Sequence, residues 1–266
     1  GVATLPTPPA GALVDIDGVL HVGAEPVPGA PQALRALRRL PAGARLLTNT
    51  TSRSRREIIA ALREQGFELA EGDVLTPAAL ALAHCRERGY RRVNLLVSDS
   101  LREDLAGLED GGGEGAVDAV VLGDLGEDFR PAVLDLAFRQ LLGGAALLAL
   151  QHNRFWRRKD GLAMDVGAYS AALEYAAGVE PAVVGKPSRR FFEAALADLG
   201  VAPEDAIMVG DDVEGDVGGG LGAGIASVLV RTGKYDEDAV SRSGIEPTAT
   251  IDSVAELPAL LGAEAG

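Results

Sequence analysis

A chain of 266 residues with 47% hydrophobic and 24% charged residues has the apolar material for a full core, which excludes a disordered chain. The length fits one large domain, or a core domain carrying an inserted second one. A formal charge of −14 disfavours sequence-independent nucleic-acid binding and anionic membranes, so neither partner is expected, and any phosphate site must be made attractive locally.

Short apolar runs alternate with amphipathic stretches. Residues 12–16 (ALVDI) read as a buried strand, followed by a helix near 29–40 with Leu34, Leu37 and Leu40 on one face. Residues 45–49 form the next predicted strand, and 53–65 a charged helix. Further strands are expected at 93–97, 119–122, 145–150, 181–185, 206–210 and 226–231, with helices near 77–88, 130–142, 168–177, 188–199 and 213–223. Continuous Val/Leu/Ile runs separated by helices predict an α/β fold, with a parallel sheet covered on both faces. Two glycine clusters interrupt the pattern. Residues 111–115 read as a surface loop. Residues 218–224 fall where a helix is expected, at a cost of roughly 0.8–1 kcal/mol per interior glycine relative to alanine. Close packing of that helix on the sheet would compensate.

No run reaches the ~18–20 apolar residues of a membrane span. The first sixteen residues lack the basic start and long apolar stretch of a signal peptide. Cys85 is the only cysteine and reads as a small buried residue on a helix. A cytoplasmic protein is the expectation.

Four polar clusters stand where predicted strands end, which is where open parallel sheets bind ligands. Asp15 and Asp17 close the first strand, and Gly18 permits a sharp turn after them. The pair reads either as an ordinary Asp-rich turn or as a Mg²⁺ site with one carboxylate free to attack. Thr48, Asn49 and Thr50 open the next helix, either as simple caps or as a phosphate cradle. Lys186, in Gly185-Lys186-Pro187, is either solvated or turned inward to neutralise phosphate charge. Asp211, Asp212, Glu214 and Asp216 crowd four acids into six residues, which favours a bound cation over a helix N-terminus rich in acids.

In the order DxDGVL, TNT, GKP and GDDxxxD, these residues resemble the haloacid dehalogenase (HAD) superfamily of phosphatases. The long interval between Thr48 and Lys186 resembles subfamily IIA, which carries a large α/β cap. The stretch from Ala149 to Ser188 is similar to the group containing the phospholysine phosphohistidine inorganic pyrophosphate phosphatases. The resemblance implies a Rossmann-like, parallel-sheet core over 1–77 and 181–266, with an inserted smaller α/β cap over 78–180. It also implies Mg²⁺ as cofactor and a small phosphorylated molecule as substrate. By the same resemblance Asp15 is the nucleophile that becomes an aspartyl phosphate, and Asp17 the general acid and base. Thr48, Asn49 and Thr50 would hold phosphoryl oxygens, with Lys186 neutralising charge. The metal set would be Asp15, Asp17 (through its backbone carbonyl), Asp211 and, in support, Asp216. His152 and Asn153, in a cap loop with Trp156 and several basic residues, would help choose the substrate. Relatives with this cap pair through it, which implies a homodimer. The competing reading is a catalytically weak phospho-ligand binding or scaffold protein with the same fold. Retention of both Asp15 and Asp17 weighs against it, because a pure binder needs neither a nucleophile nor an acid.

Overall fold

The computed structural model describes residues 4–262; the outer limits expected for the core, residues 1 and 266, lie outside them. The chain divides into two compact units. The first runs to Thr48, resumes for Arg56–Leu75, and resumes again at Lys186. Its sheet has six parallel strands, ordered Ala249–Ile251, Ala226–Val230, Ala206–Gly210, Gly11–Asp15, Gly43–Leu47 and Val74–Leu75. Every residue of Gly11–Asp15 is buried, which explains its unbroken apolar run: a central parallel strand has no solvent face on which to place alternating polar residues. Helices Ala30–Arg38 and Arg55–Glu64 contribute Leu34, Leu37, Ile58, Ile59 and Leu62 to the core that contains Val14, Leu46, Ile207 and Val209.

The chain leaves Gly11–Asp15 for Gly43–Leu47 on one side, while Ala206–Gly210 returns on the other. Such a switch in direction opens a crevice at the carboxyl ends of the strands. Asp15 ends the central strand, and Thr48 and Asp211 directly follow its two neighbours. The α/β class and the parallel core are therefore as the sequence predicts.

The second unit comprises Thr76–Gly185 together with Asn49–Arg55. Its five parallel strands are ordered Ala182–Val183, Ala146–Ala149, Ala119–Leu122, Arg92–Leu96 and Glu109–Asp110. A separate antiparallel hairpin pairs Phe155–Arg158 with Gly161–Met164. Beneath the sheet, Leu96, Val120, Leu122, Ala137 and Leu141 form one cluster, and Phe129 stacks on Tyr169 with ring centroids 3.7 Å apart. The unit is wider than residues 78–180 for local reasons. Thr76 caps helix Pro77–Arg88 by accepting the Ala79 N–H, so the helix brings its cap with it. Ala182 and Val183 pair with Leu148 and Ala149, so the run 181–185 extends this sheet and not the core sheet.

Other predictions need local correction. The second helix begins at Arg55, which leaves Thr48–Ser54 as a loop and not a helix start. The loop 111–115 is tied down by buried Gln140, whose Nε2 donates to the carbonyls of Gly111 and Gly115 at 3.1 and 3.3 Å. Gln140 also accepts from Asn94 at 2.8 Å. Cys85 is fully buried, and burial pushes its thiol up to about 11, in keeping with a packing role. No helix among the described residues is long and apolar enough to cross a membrane.

The predicted helix 213–223 is a wider π-type turn, Val213–Gly218, followed by a short α-helix, Gly219–Gly222. Its glycines answer to packing. A methyl group at Gly220 would lie 2.4 Å from Ser227 Oγ, and one at Gly219 would lie 2.5 Å from the Phe192 ring. A methyl at Gly222 would meet nothing within 4 Å. Gly220→Ala is therefore expected to destabilise by about 1–3 kcal/mol through overpacking. Gly222→Ala is expected to stabilise by about 0.4–1 kcal/mol, because it only restricts the unfolded chain. Chemical denaturation of the two variants checks the opposite signs.

Candidate active site

Lys186 is the centre of the cluster. Only 5% of its surface is exposed, and its Nζ donates to Asp15 Oδ1 at 2.8 Å and to Asp216 Oδ1 at 2.7 Å. A lysine so enclosed is tolerated because it is doubly paired. Asp15, Asp211 and Asp216 are all buried, and each offers a carboxylate oxygen within 4.8 Å of the others. Asp216 reaches the cluster from the π-type turn, where its Oδ2 also accepts the Asp212 N–H at 3.2 Å. Asp211 Oδ2 accepts the backbone N–H of Lys234 at 2.7 Å. A cavity of about 200 Å³, lined by Asp211, Asp212, Lys234 and Asp236, borders this side.

Three acids against one ammonium is an unbalanced charge. Burial first, and then the negative charge of Asp216, push Asp15 well above the ordinary carboxylate range, while Lys186 pulls against them. Burial and Asp216 likewise push Asp211 up to about 6. The carboxylates of Asp15 and Asp216 hold Lys186 above its ordinary value in spite of its burial. A hard divalent cation is the ligand that this set of oxygens suits, since it supplies the missing positive charge and prefers carboxylate donors.

Asp17 stands apart from the three. Its side chain is 51% exposed; Oδ1 meets His21 Nε2 at 2.9 Å, and Oδ2 accepts from Thr48 Oγ1 at 3.3 Å. As a side chain it is therefore not a member of the buried carboxylate set, and its predicted part in metal binding rests on its backbone carbonyl. Gly18, at φ +85°, makes the turn beyond it. A methyl there would also fall 1.8 Å from Asp211 Oδ2, so glycine is required on two counts.

The crowded acids after Ala206–Gly210 divide their roles. Asp211 and Asp216 converge on Lys186 and Asp15, whereas Asp212 is a cap that accepts the N–H groups of Glu214 and Gly215 at 3.0 and 2.9 Å. The capping reading of that stretch thus applies to Asp212, while Asp211 and Asp216 stand in the buried carboxylate cluster. Asn49, Thr50, His152 and Asn153 belong to the second unit. There His152 Nε2 meets Glu174 Oε2 at 2.9 Å, and Ser170 Oγ donates to the same oxygen at 2.8 Å. The Asn153 N–H donates to buried Gln151, whose Nε2 donates in turn to Asp165 Oδ1 at 2.8 Å.

Two segments that contribute are absent from the sequence expectations, residues 232–234 and the turn at His21. Thr232 donates to the Gly18 carbonyl, and Gly233 lets the chain pass Asp211, where a methyl would lie 2.2 Å from Oδ2. Together with Lys234 they follow the strand Ala226–Val230, so the rule that ligands gather at carboxyl ends of strands points to them too. The other is His21, whose distance of four residues from Asp17 marks it only once the turn is seen.

Residues 12–109 match the haloacid dehalogenase-like hydrolase family model, and 183–257 a HAD-hydrolase-like model. The chain is 40% identical over 232 residues to haloacid dehalogenase-like hydrolase domain-containing protein 2 of Homo sapiens, covering 86% of this chain and 88% of that one. It is 37% identical over 257 residues to the phospholysine phosphohistidine inorganic pyrophosphate phosphatase of Bos taurus, covering 94% and 93%. Among solved structures, p-nitrophenyl phosphatase from Archaeoglobus fulgidus superposes with a TM-score of 0.88 at 28% identity, covering 95% of this chain and 99% of that one. A glycerol phosphate phosphatase from Mycobacterium tuberculosis, in complex with calcium, superposes at 0.82 with 28% identity, covering 94% and 74%. With a parallel core, a switch-point cluster and relatives of this extent, the chain belongs to the haloacid dehalogenase-like hydrolase family.

Proposed function

We propose that the protein is a Mg²⁺-dependent phosphatase acting on a small phosphorylated molecule through an aspartyl phosphate on Asp15. The observation that carries this reading is the buried set Asp15, Asp211 and Asp216 around Lys186, with a separate, half-exposed acid, Asp17, fixed nearby in the chain. Asp15 Oδ attacks phosphorus, and the bond from phosphorus to the leaving oxygen breaks as Asp17 gives that oxygen its proton. Water then attacks the phosphoryl group, Asp17 takes the water's proton, and the bond to Asp15 breaks to free inorganic phosphate. Lys186 holds Asp15 in place and offsets charge. The Thr48 hydroxyl, which rests on Asp17 here, is suited to a phosphoryl oxygen, with Asn49 and Thr50 beside it in sequence. Asp15, Asp211 and the Asp17 carbonyl would hold the Mg²⁺, with Asp216 in support. A bound Mg²⁺ supplies charge neutralisation and in-line orientation of the phosphoryl group.

His152 and Asn153 are assigned to substrate choice within the same reading. A cytoplasmic setting and a homodimer through the second unit complete it. The dimer is supported by Phe155, Leu162 and Met164, all exposed on one hairpin, and light scattering checks it. The test of function is phosphate release from a panel of phosphoesters, phosphoamides and pyrophosphate, with Mg²⁺ and with EDTA. Mg²⁺-dependent turnover is expected. Absence of turnover by folded, Mg²⁺-loaded protein would favour a phospho-ligand binder.

The raised carboxyls give the metal a pH signature. Asp15 and Asp211 keep protons in the metal-free fold that the unfolded chain loses at lower pH. Their contribution to stability is full below the unfolded value, roughly pH 4, and is lost as pH rises through the folded values. Mg²⁺ must displace those protons to bind. The rise in Tm produced by Mg²⁺ is therefore expected to be small at about pH 5 and larger at about pH 8. Thermal unfolding with Mg²⁺ and with EDTA at both pH values checks this, and equal increments would contradict it.

A further inference from the structure

The geometry points to His21 as the positioning residue for Asp17, holding the proton carrier's carboxylate at the angle that leaving-group protonation requires. The inference rests on the assignment of Asp17 as general acid.

Asp15 is fixed by burial and by Lys186. Asp17 has no such enclosure, and an acid that is half exposed sweeps several rotamers unless hydrogen bonds select one. General-acid catalysis loses orders of magnitude when the donor is misplaced by about 1 Å. The clamp is visible at both oxygens, Oδ1 on His21 and Oδ2 on Thr48. The His21 clamp is itself held at its far side. His21 is 5% exposed, and its Nδ1 donates to Gln65 Oε1 at 2.9 Å, which fixes the ring about both nitrogens. The backbone prepares the contact as well. The Gly18 N–H donates to the His21 carbonyl at 2.8 Å, residues 17 and 21 form a β-bridge, and His21–Val22 pairs with Glu25–Pro26. The tight turn that carries the nucleophile and the acid thus returns directly through the residue that orients the acid. Gln65, just after helix Arg55–Glu64, ties that turn to the core.

Leaving-group chemistry separates this role from a merely structural one. An alkyl phosphate needs a proton on its departing oxygen, whereas p-nitrophenolate leaves without one. His21→Ala is expected to lower kcat/KM, which reports the transfer to Asp15 alone, at least about tenfold more for glycerol phosphate than for p-nitrophenyl phosphate. Its kcat, which also contains the hydrolysis step shared by both substrates, falls for both. Gln65→Leu, which leaves the contact with Asp17 in place, is expected to show the same selectivity at smaller amplitude. Asp17→Asn is the reference: it should show the selectivity strongly, and the double variant His21→Ala/Asp17→Asn should add little to it. Equal losses in kcat/KM on the two substrates in His21→Ala, with selectivity retained in Asp17→Asn, would overturn the positioning role. An Asp17→Asn variant without selectivity would instead overturn the assignment of Asp17 on which it rests.

Discussion

Asp15→Asn is expected to stop turnover, with kcat falling by at least about 10⁴-fold, while the protein stays folded. The amide has nearly the shape of the carboxylate, and its oxygen can still accept from Lys186 Nζ, which lies 2.8 Å from Oδ1 in the native cluster. It cannot form the acyl phosphate. The fold should tolerate the change because Asp15 is one of three crowded acids, and its carboxyl is held above the ordinary range by burial and by Asp216. Removing its charge relieves repulsion in the metal-free protein. The Tm in EDTA is therefore expected to hold or rise slightly, while the additional rise on Mg²⁺ addition shrinks. Steady-state kinetics and thermal unfolding together check the prediction. Near-normal Mg²⁺-dependent activity in this variant would remove Asp15 as nucleophile, and a collapsed Tm would show the carboxylate to be structural.

Lys186→Met is expected to do the opposite to stability. The substitution keeps the unbranched stem out to Cε but leaves Asp15, Asp211 and Asp216 buried together without their ammonium. Removing one partner of a buried ion pair costs about 3–5 kcal/mol, because the charge left behind is neither solvated nor paired. In a chain of this size each kcal/mol is worth roughly 2–4 °C, so the Tm in EDTA should fall by on the order of 10 °C. Mg²⁺ should recover part of that loss, since it supplies the positive charge that the lysine no longer does. Activity should fall by about 10²–10³-fold even when the metal is bound, as for loss of a charge-stabilising group. Unfolding curves with EDTA and with Mg²⁺ distinguish the cases. A variant as stable as the native protein in EDTA would mean that the acids simply protonate, and that Lys186 is not what balances them.

Much of this site is legible in the sequence, and the reasons lie in particular residues. Asp15, Asp211 and Asp216 are legible because acids placed at the ends of buried apolar strands need partners, and in a parallel sheet those ends converge. Lys186 follows a strand of the other sheet and is legible from its Gly-Lys-Pro motif instead. The element pattern is legible for the same reason: Gly11–Asp15, Ala119–Leu122 and Ala206–Gly210 have no solvent face to blur their apolar runs. Allegiance to a sheet is not legible. The run 181–185 looks like any buried strand, and nothing in it says that Ala182 will pair with Leu148 in the second unit. Short elements are also lost. His21–Val22, Val74–Leu75 and Ala249–Ile251 are too brief for a period to show, yet the first of them carries the residue that holds Asp17. The acids at 211–216 could be read as a metal site or as a cap, and only the turn geometry assigns Asp212 to capping and Asp216 to the cluster. The glycines at 219 and 220 look like poor helix formers until Phe192 and Ser227 are seen to fill the space a methyl would need.

The central claim is that Asp15 carries the phosphoryl group, and chemical trapping tests it most directly. Mg²⁺-loaded protein is mixed with a substrate from the panel, quenched in acid during turnover, reduced with borohydride and digested for mass spectrometry. An acyl phosphate is reduced to an alcohol, so homoserine is expected at position 15, in Mg²⁺ and not in EDTA. Turnover without any modification at Asp15, or with the modification at Asp17 or Asp211, would contradict the account.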